Sequence, residues 1–258
     1  MAIIYLNPGH GGKDPGALLG DRREKDDVLR LGLAVKPLLE AAGHTVIMSR
    51  TDDTYTSVAD IAKNANACGA DLFIALHRNA GGGTGNECLI VSCASAMSRQ
   101  MATAIQARIC AIAGRDRGVK VQDTRTAVLK NTRMPATTVE LGFIDNLGDN
   151  ALFDTYFDAY AQAVANGIMD VAGDVDAASA QRLGWTLERY LKRGSRGEDV
   201  RRAQQALVAE GIDIGAVDGI FGERTRAGVR TYQQRKGLGV DGIVGPKTVA
   251  AMGGVWKG

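Results

Sequence analysis

Two of the chain's three histidines lie in glycine-rich turns that directly follow apolar runs. His10 comes after the run Ile3–Leu6, and His77 ends the run that begins at Asp71. In an open α/β sheet, reactive groups collect where strands end and loops begin. Two imidazoles that share such a pocket most often bind a metal ion. The sequence therefore predicts one metal site that contains His10 and His77.

A carboxylate is the usual third ligand of a hydrolytic zinc site, which keeps its fourth position for water. The acidic residues shortly after His10 are Asp14, Asp21, Glu24, Asp26 and Asp27. We expect Glu24 to be the ligand, because it opens a helical pattern at the ligand-binding edge of the sheet. Asp26 and Asp27 fall on other faces of that helix and would favour its positive N-terminal end. The third histidine, His44, follows a glycine at a helix-to-strand junction and is expected to be structural.

Glu140 is the candidate proton acceptor for water at this site. It lies in the otherwise uncharged stretch from Ala136 to Phe143. A carboxylate buried in such surroundings needs a partner, because burying a lone charge is very costly. A zinc-bound water is such a partner, and Glu140 could take its proton and later deliver it to a leaving amine. The four residues together predict zinc-dependent hydrolysis.

Strand and helix patterns alternate through the first two thirds of the chain, which predicts an α/β fold. We expect a mostly parallel mixed sheet with helices on both faces. The helix from Lys25 to Ala42 contains Pro37, which should kink or break it. Other expected helices begin at Ser57, at Met97 and at Asp149, the last running to about Val171. The expected strands are Ile3–Leu6, Thr45–Ser49, Asp71–Leu76, Glu87–Ser92 and Thr137–Leu141.

The composition changes near Gly173, which predicts two domains. Residues 1–172 would form the first domain, the small and polar stretch 173–187 a linker, and residues 188–258 a three-helix domain. A short repeat marks the second domain, because the Asp-Gly-Ile turn at Asp218 returns at Asp241, 23 residues later. We expect its helices at Glu198–Glu210, Arg224–Arg235 and Thr248–Met252. Basic residues outnumber acidic ones in this part, which favours a partner with negative charge.

Composition also argues against several other classes of protein. The net charge of +2 gives no reason to expect a strong polyanion partner, and no nucleic acid is expected. There is no apolar run of 18 residues, so membrane insertion is not expected. The four cysteines lack a CxxC pair and are expected to be reduced, with a Cys88–Cys93 disulfide left open. Gly11 and Gly12 are not followed by the Gly-Lys-Ser/Thr of a phosphate loop.

Four ordered segments carry a family resemblance: Asn7–Ala17, Glu24-Lys25, Leu76–Ala80 and Pro135–Asn146. In these segments residues 1–172 resemble the zinc-dependent N-acetylmuramoyl-L-alanine amidases of the amidase-3 type. The resemblance implies one catalytic Zn²⁺ held by His10, Glu24 and His77, with Glu140 as the catalytic glutamate. It also implies hydrolysis of the amide between N-acetylmuramic acid and the first L-alanine of the stem peptide. Residues 191–252 similarly resemble the three-helix peptidoglycan-binding domain, which implies bacterial peptidoglycan as the partner.

The chain departs from the family's usual pattern at a few positions. Asn7 stands where aspartate is usual, and Pro37 interrupts a helix that is normally continuous. Arg78 stands beside His77 in place of a small residue, and could reach a substrate carboxylate. The segment between Ala80 and Met134 is short and lacks the inserted regulatory helix of some relatives, so no protein activator is expected.

The resemblance leaves the biological role open among related possibilities. The chain starts as a strand that enters a glycine turn, so we expect synthesis in the bacterial cytoplasm without a signal peptide and action on the wall after release. That pattern favours a phage endolysin. A bacterial autolysin of the same activity, a zinc peptidase that cuts the stem peptide and an inactive wall-binding protein are the alternatives. Trp185 and Trp256 are expected to be packing anchors.

Overall fold

The chain forms two compact units, one of residues 1–66 and 70–175 and the other of residues 67–69 and 176–258. The structure, a computed structural model, describes residues 2–124, 126–183 and 186–258, with no side chains from 174 to 183. No helix in these ranges is both long enough and apolar enough to cross a lipid bilayer.

The first unit is built on a six-stranded sheet in the order β4-β1-β5-β8-β6-β7. Every neighbouring pair is parallel except β6 and β8, which are antiparallel. A small separate hairpin joins β2 and β3 between the first strand and the first helix. The strands are β1 Ile3–Pro8, β2 Leu18–Leu19, β3 Arg22–Arg23, β4 Thr45–Met48, β5 Leu72–Asn79, β6 Asn86–Ile90, β7 Asp116–Val121 and β8 Ala136–Phe143.

Within the described residues, six helices surround this sheet, so the predicted mixed and mostly parallel α/β fold is confirmed. Alternate strand residues, such as Ile4 and Leu6, point into a core shared with α1, α3 and α6. On the opposite face Tyr5 and Phe73 stack with ring centroids 5.7 Å apart. The helices are α1 Glu24–Ala41, α2 Val58–Ala67, α3 Ala96–Cys110, α4 Ala127–Asn131, α5 Leu147–Thr155 and α6 Phe157–Leu183.

Helix α1 presents one apolar face to the core. Val28, Leu31, Val35 and Leu39 recur at helical spacing and are fully buried. Burying each of these side chains contributes about 1.5–3 kcal/mol. Contrary to the expected break, the helix continues past Pro37, which lies on its exposed side. This packing fixes the first turn of α1, where Glu24 lies, against the end of the sheet.

The structure contains elements that the sequence does not predict, among them helix α4 and the β2–β3 hairpin. Strand β7 was not expected, and the single helix expected from Asp149 is two helices separated at Tyr156. Helix α6 runs to Leu183 and so enters the stretch that the sequence indicates as a linker. Most side chains of that stretch lie outside the described part of the chain, as does Trp185.

The second unit contains the three expected helices, α7 Glu198–Ala209, α8 Glu223–Arg235 and α9 Pro246–Ala251. Two short strands, β9 Thr186–Leu187 and β10 Val255–Trp256, pair in parallel. The core of this unit includes Leu187, Val200, Phe221 and Val249. Trp256 packs against this core, as expected for an anchor.

The repeat seen in the sequence corresponds to a repeated hydrogen-bond pattern around two buried glutamines. Gln204 contacts Asp218, Ile220 O and Thr225 through its Nε2 and accepts from Gly219 N through its Oε1. Gln233 makes the same set of contacts with Asp241, Ile243, Thr248 and Gly242. Each glutamine is 1% exposed and holds one Asp-Gly turn against the start of the following helix.

The cysteines form no disulfide in the structure. Cys68, Cys88, Cys93 and Cys110 are all free thiols, so the Cys88–Cys93 pairing is not formed. Burial raises the pKa of the Cys88 thiol well above its usual value, which keeps it protonated and unreactive.

Candidate active site

His10 lies in the turn that leaves β1. Gly9 N donates to Leu76 O at 3.0 Å, which ties the start of the turn to β5. Gly11 and Asp14 then pair through their backbones at 2.9 and 3.0 Å. His10 has a φ of 60°, and no other non-glycine residue in the described ranges has a positive φ. Such a conformation is uncommon for a side-chain-bearing residue and is held here by the surrounding contacts.

Arg50 holds this turn in place through side-chain hydrogen bonds to backbone carbonyls. This role is not apparent from the sequence. Its guanidinium donates to Pro8 O at 3.0 Å, to Gly9 O at 2.8 Å and to Lys25 O at 2.7 Å. The residue is only 4% exposed. One side chain therefore links the end of β1, the His10 turn and the start of α1. The signal in the sequence is an arginine two residues after the end of β4.

Glu24 lies between the two histidines. Its Oε2 is 3.1 Å from His10 Nε2 and its Oε1 is 2.9 Å from His77 Nδ1. Ala17 N and Arg78 N also donate to its two oxygens, at 2.9 and 3.0 Å. Burial alone would raise the pKa of Glu24, but the hydrogen bonds and charges of both histidines hold it far below its usual value. Glu24 is therefore an ionised carboxylate in a preorganised position.

His10, Glu24 and His77 each offer one ligand atom, and these three atoms lie within 4.8 Å of one another. Asp14 Oδ2 lies 2.9 Å from His10 Nδ1, which leaves His10 Nε2 to face Glu24. Carboxylate contact to the far nitrogen is the usual way to orient a metal-binding imidazole. Burial lowers the pKa of His10, but Glu24 and Asp14 outweigh it and raise that pKa to about 9. The donor set fits a zinc ion, which prefers imidazole and carboxylate ligands.

Two glycines leave room for these ligands. A Cβ on Gly9 would lie 2.2 Å from Cε1 of His77. A Cβ on Gly16 would lie 2.7 Å from both Glu24 Oε2 and His10 Cδ2, and Gly16 also has a φ of +68°. Any larger residue would displace the imidazole or the carboxylate. The glycines around His10 therefore allow the close approach of backbone to ligand.

Glu140 lies on β8 directly beside His77 on β5, as its register partner. The side chain is half-buried, and its Oε2 is enclosed without a hydrogen-bond partner among the described residues. Burial is the main reason that the pKa of Glu140 is raised to about 7. An enclosed acceptor with a pKa near neutrality suits a group that takes and returns a proton. The orphaned oxygen also fits a site in which water is held beside the carboxylate.

Glu87 continues this row onto the next strand, because it is the register partner of Glu140 across the antiparallel β6–β8 pair. Asn79 Nδ2 donates to its Oε1 at 2.7 Å, and Arg117 and Lys120 both donate to its Oε2 at 2.5 Å. Burial raises the pKa of Glu87, but these two cations hold it below its usual value. Neither Glu87 nor its two cationic partners carries a signal in the sequence that identifies it.

The other acidic residues considered as ligands lie elsewhere. Asp26 pairs with Arg23 at 2.6 Å, Asp27 pairs with Arg22 at 2.8 Å, and Asp21 is exposed. Asp14 contacts His10 on the side away from Glu24, so it supports the imidazole.

The suggestion that Arg78 reaches a substrate carboxylate is wrong. The side chain is fully buried and donates to Asp27 Oδ2 and to Asn150 Oδ1, both at 2.6 Å. Its guanidinium also lies over the Phe153 ring at 4.2 Å. Arg78 follows His77 on the strand, so its side chain points to the opposite face of the sheet.

Two further residues singled out in the sequence, His44 and Asn7, are not among the candidate ligands. His44 accepts a hydrogen bond from Ala2 N at 3.2 Å, which agrees with a structural role. Asn7 is 2% exposed, and its Oδ1 has no hydrogen-bond partner in the described part of the chain. The amide therefore lies buried at the end of β1 without adding a charge near His10.

Comparison with known proteins identifies two families along the chain. A family model described as N-acetylmuramoyl-L-alanine amidase matches residues 4–170, and one described as putative peptidoglycan binding domain matches residues 196–252. The chain is 37% identical over 173 residues to the sporulation-specific N-acetylmuramoyl-L-alanine amidase of Bacillus subtilis strain 168, covering 65% of this chain and 67% of that protein. It is also 37% identical over 179 residues to the endolysin of Bacillus phage SPP1, covering 66% of this chain and 65% of that protein.

Similarity to solved structures points to the same family. An N-acetylmuramoyl-L-alanine amidase from Clostridium difficile 630 superposes with a TM-score of 0.62 at 31% identity, over 66% of this chain and 95% of that chain. The chain spans about two thirds of the length of the curated relatives described above. The amidase match covers more than half of the chain and includes His10, Glu24, His77 and Glu140. The chain therefore belongs to the N-acetylmuramoyl-L-alanine amidase family.

Proposed function

We propose that this chain hydrolyses the amide between N-acetylmuramic acid and the first L-alanine of peptidoglycan, with one zinc ion held by His10, Glu24 and His77. The observation that carries this proposal is the convergence of those three side chains beside Glu140, inside the region that matches the amidase family. When bound, zinc supplies Lewis acidity, which polarises a carbonyl group and lowers the pKa of a water molecule.

Each protein group then has a defined task. Glu24 and the two imidazoles hold the metal, and Asp14 orients His10 through its Nδ1. Glu140 takes a proton from the attacking water, and it returns a proton to the L-alanine amine as the C–N bond breaks. Its pKa of about 7 supports both transfers, because neither protonation state is strongly favoured near neutral pH.

The second unit is proposed to bind the wall and hold the catalytic unit near its substrate. This proposal rests on the peptidoglycan-binding family match and on the compact core that supports two repeated turns. Tethering an enzyme to an insoluble polymer raises the local substrate concentration without any change in the active site. Loss of wall binding should therefore reduce lysis of intact walls more than hydrolysis of small soluble fragments.

We further propose that the enzyme acts as a phage endolysin, made in the cytoplasm and active on the wall after release. The similarity to the endolysin of phage SPP1 supports this role. A bacterial autolysin is the alternative, supported by the equally similar sporulation-specific amidase. Transcription separates the two roles: an endolysin is expressed with phage late genes, whereas an autolysin is expressed during growth or sporulation of an uninfected cell.

Analysis of the digestion products of purified peptidoglycan tests the activity. We expect new free amines on L-alanine and intact glycan strands without new reducing ends. Amines from other stem or cross-bridge residues would instead identify a peptidase, and no release of any product would indicate a wall-binding protein without activity. Metal analysis of the same protein, purified without added metal, tests the proposed zinc.

A further inference from the structure

Two cations, Arg117 and Lys120, lie on the same face of the sheet as Glu140, two strands away. The strand order β8-β6-β7 and the pairs Glu140–Glu87 and Leu89–Lys120 define this row. Both cations donate to one oxygen of Glu87, at 2.5 Å each. A single carboxylate therefore faces two positive charges, and the cluster carries a net charge of about +1.

An irregularity in β7 places both cations on this face. Residues three apart on a regular strand point to opposite faces. Here the β6–β7 register shifts between Asn86 and Cys88, and Gly118 on β7 has a φ of 76°. Such a bulge re-aims side chains next to an active site. Arg117 and Lys120 can therefore both turn towards Glu87, although their sequence spacing would separate them.

Arg117 and Lys120 are partly exposed side chains with donors that Glu87 does not use. The side chain of Arg117 is 24% exposed and that of Lys120 is 42% exposed, whereas Glu87 is 7% exposed. Arg117 also donates to Thr84 O at 3.4 Å and lies over the Phe143 ring at 4.8 Å, which fixes its orientation. Among the described residues, no acceptor is bound to Arg117 Nη2 or to a second Lys120 proton. One cation would neutralise Glu87, so the second is available to a ligand.

We propose that Arg117 and Lys120 form a subsite for a carboxylate of the stem peptide beyond the L-alanine. This inference rests on the proposed amidase function, because it places a substrate group relative to Glu140. Neighbouring strands lie about 4.8 Å apart, so β7 lies about 10 Å from β8. An extended peptide advances about 3.3–3.6 Å per residue, so about three residues span the distance between the strands. Arg117 and Lys120 reach back to Glu87 on β6, which brings their donors within range of a carboxylate on the second or third stem residue. Arg and Lys together suit a carboxylate, which accepts charge-assisted hydrogen bonds from both.

Paired soluble substrates test this subsite: N-acetylmuramyl-L-alanyl-D-glutamate and the same compound with both glutamate carboxylates converted to amides. We expect the wild-type enzyme to cleave the acidic compound with a kcat/KM about tenfold higher, which is about 1.4 kcal/mol and near the contribution of one hydrogen bond to a charged group. Lys120→Gln and Arg117→Gln should each reduce that preference to threefold or less. In both variants, cleavage of the amidated compound, which lacks the carboxylates, should decrease much less than cleavage of the acidic compound.

The controls separate this role from structural damage. Lys120→Arg should keep the preference, and Arg115→Ala removes an exposed arginine nearby and should leave it unchanged. Equal loss on both compounds in Lys120→Gln and Arg117→Gln would overturn the subsite, as would a wild-type enzyme with no preference. Failure of the wild-type enzyme to release L-alanyl peptide from either compound would overturn the proposed function itself, and the subsite with it.

Discussion

Glu140 on β8 lies directly across from His77 on β5, with the enclosed oxygen of Glu140 on the face that carries the His77 imidazole. The register of two parallel strands therefore sets the relation between a proposed metal ligand and the proposed proton acceptor. Rigid strands hold such pairs more reproducibly than loops do. The His10 turn and the first turn of α1 complete the site from the other side.

The enclosed Oε2 of Glu140 should make the metal-free protein less stable as pH rises. Its folded pKa of about 7 lies above the unfolded value, so its contribution to stability is complete below pH 4.5 and is lost as pH rises through 7. The full loss is about 3 kcal/mol. Urea unfolding of chelator-treated wild-type protein and Glu140→Gln at several pH values measures the difference. We expect the variant to gain relative stability between pH 5 and 8, and a constant difference would contradict the burial argument.

Asp14→Asn should weaken metal binding while leaving the three ligands in place. The variant loses the ionised partner of His10 Nδ1, which lies 2.9 Å away. Loss of such a supporting contact typically costs 10–100-fold in metal affinity, so we expect about that decrease for zinc. Competition with a zinc chelator gives the affinity. Asp26→Asn is the matched control, since Asp26 pairs only with exposed Arg23 in the described structure. Equal zinc affinity in both variants would refute the role of Asp14.

Gly9→Ala should disturb His77 through a direct steric contact. The new Cβ would lie 2.2 Å from His77 Cε1, so the ring must leave its present position beside Glu24. We expect zinc affinity to fall about tenfold or more, because metal sites tolerate little displacement of a ligand. Gly173→Ala serves as the control, because a Cβ there meets nothing within 4 Å. Normal zinc binding by a folded Gly9→Ala variant would mean that His77 is not held as described.

Gln204→Ala and Gln233→Ala should each destabilise the second unit. Each change leaves a buried turn without the side chain that bonds its aspartate, its backbone and its threonine. The expected loss is about 2–4 kcal/mol, in the range for broken buried networks. Thermal unfolding and retention on insoluble wall should both decrease, whereas cleavage of a soluble muramyl peptide should stay near the wild-type rate. Gln234→Ala, at an exposed neighbouring position, should change none of these.

The sequence predicts the parts of this protein that depend on strong local signals. The turn histidines, the first-turn carboxylate Glu24 and the uncharged stretch around Glu140 all have distinctive neighbours, and the structure brings these four residues together. The alternating elements predict the sheet because buried parallel strands are continuous apolar runs. The Asp-Gly repeat likewise predicts the three helices of the second unit.

The remaining features depend on contacts that are distant in sequence. Strand β7 is a polar edge strand that pairs only with β6, so it lacks an apolar pattern. The separation of α5 from α6 occurs at Tyr156, without proline or glycine. Arg50 and Glu87 become identifiable only when the sheet brings them beside the His10 turn and Glu140. The burial of Arg78 against Asp27 and Asn150 cannot be read from its place beside His77, so the sequence wrongly suggests a contact with substrate.

Zinc content and amidase activity, measured together on wild-type and Glu140→Gln protein, test the central claim most directly. Chelator-treated wild-type enzyme should be inactive and should regain full activity as one zinc ion binds per chain. Glu140→Gln should bind the same single zinc ion with similar affinity, yet release L-alanine amines from peptidoglycan at least 100-fold more slowly, as expected for loss of a general acid–base group. Full activity in the stripped enzyme, or near-normal activity in zinc-loaded Glu140→Gln, would contradict the account.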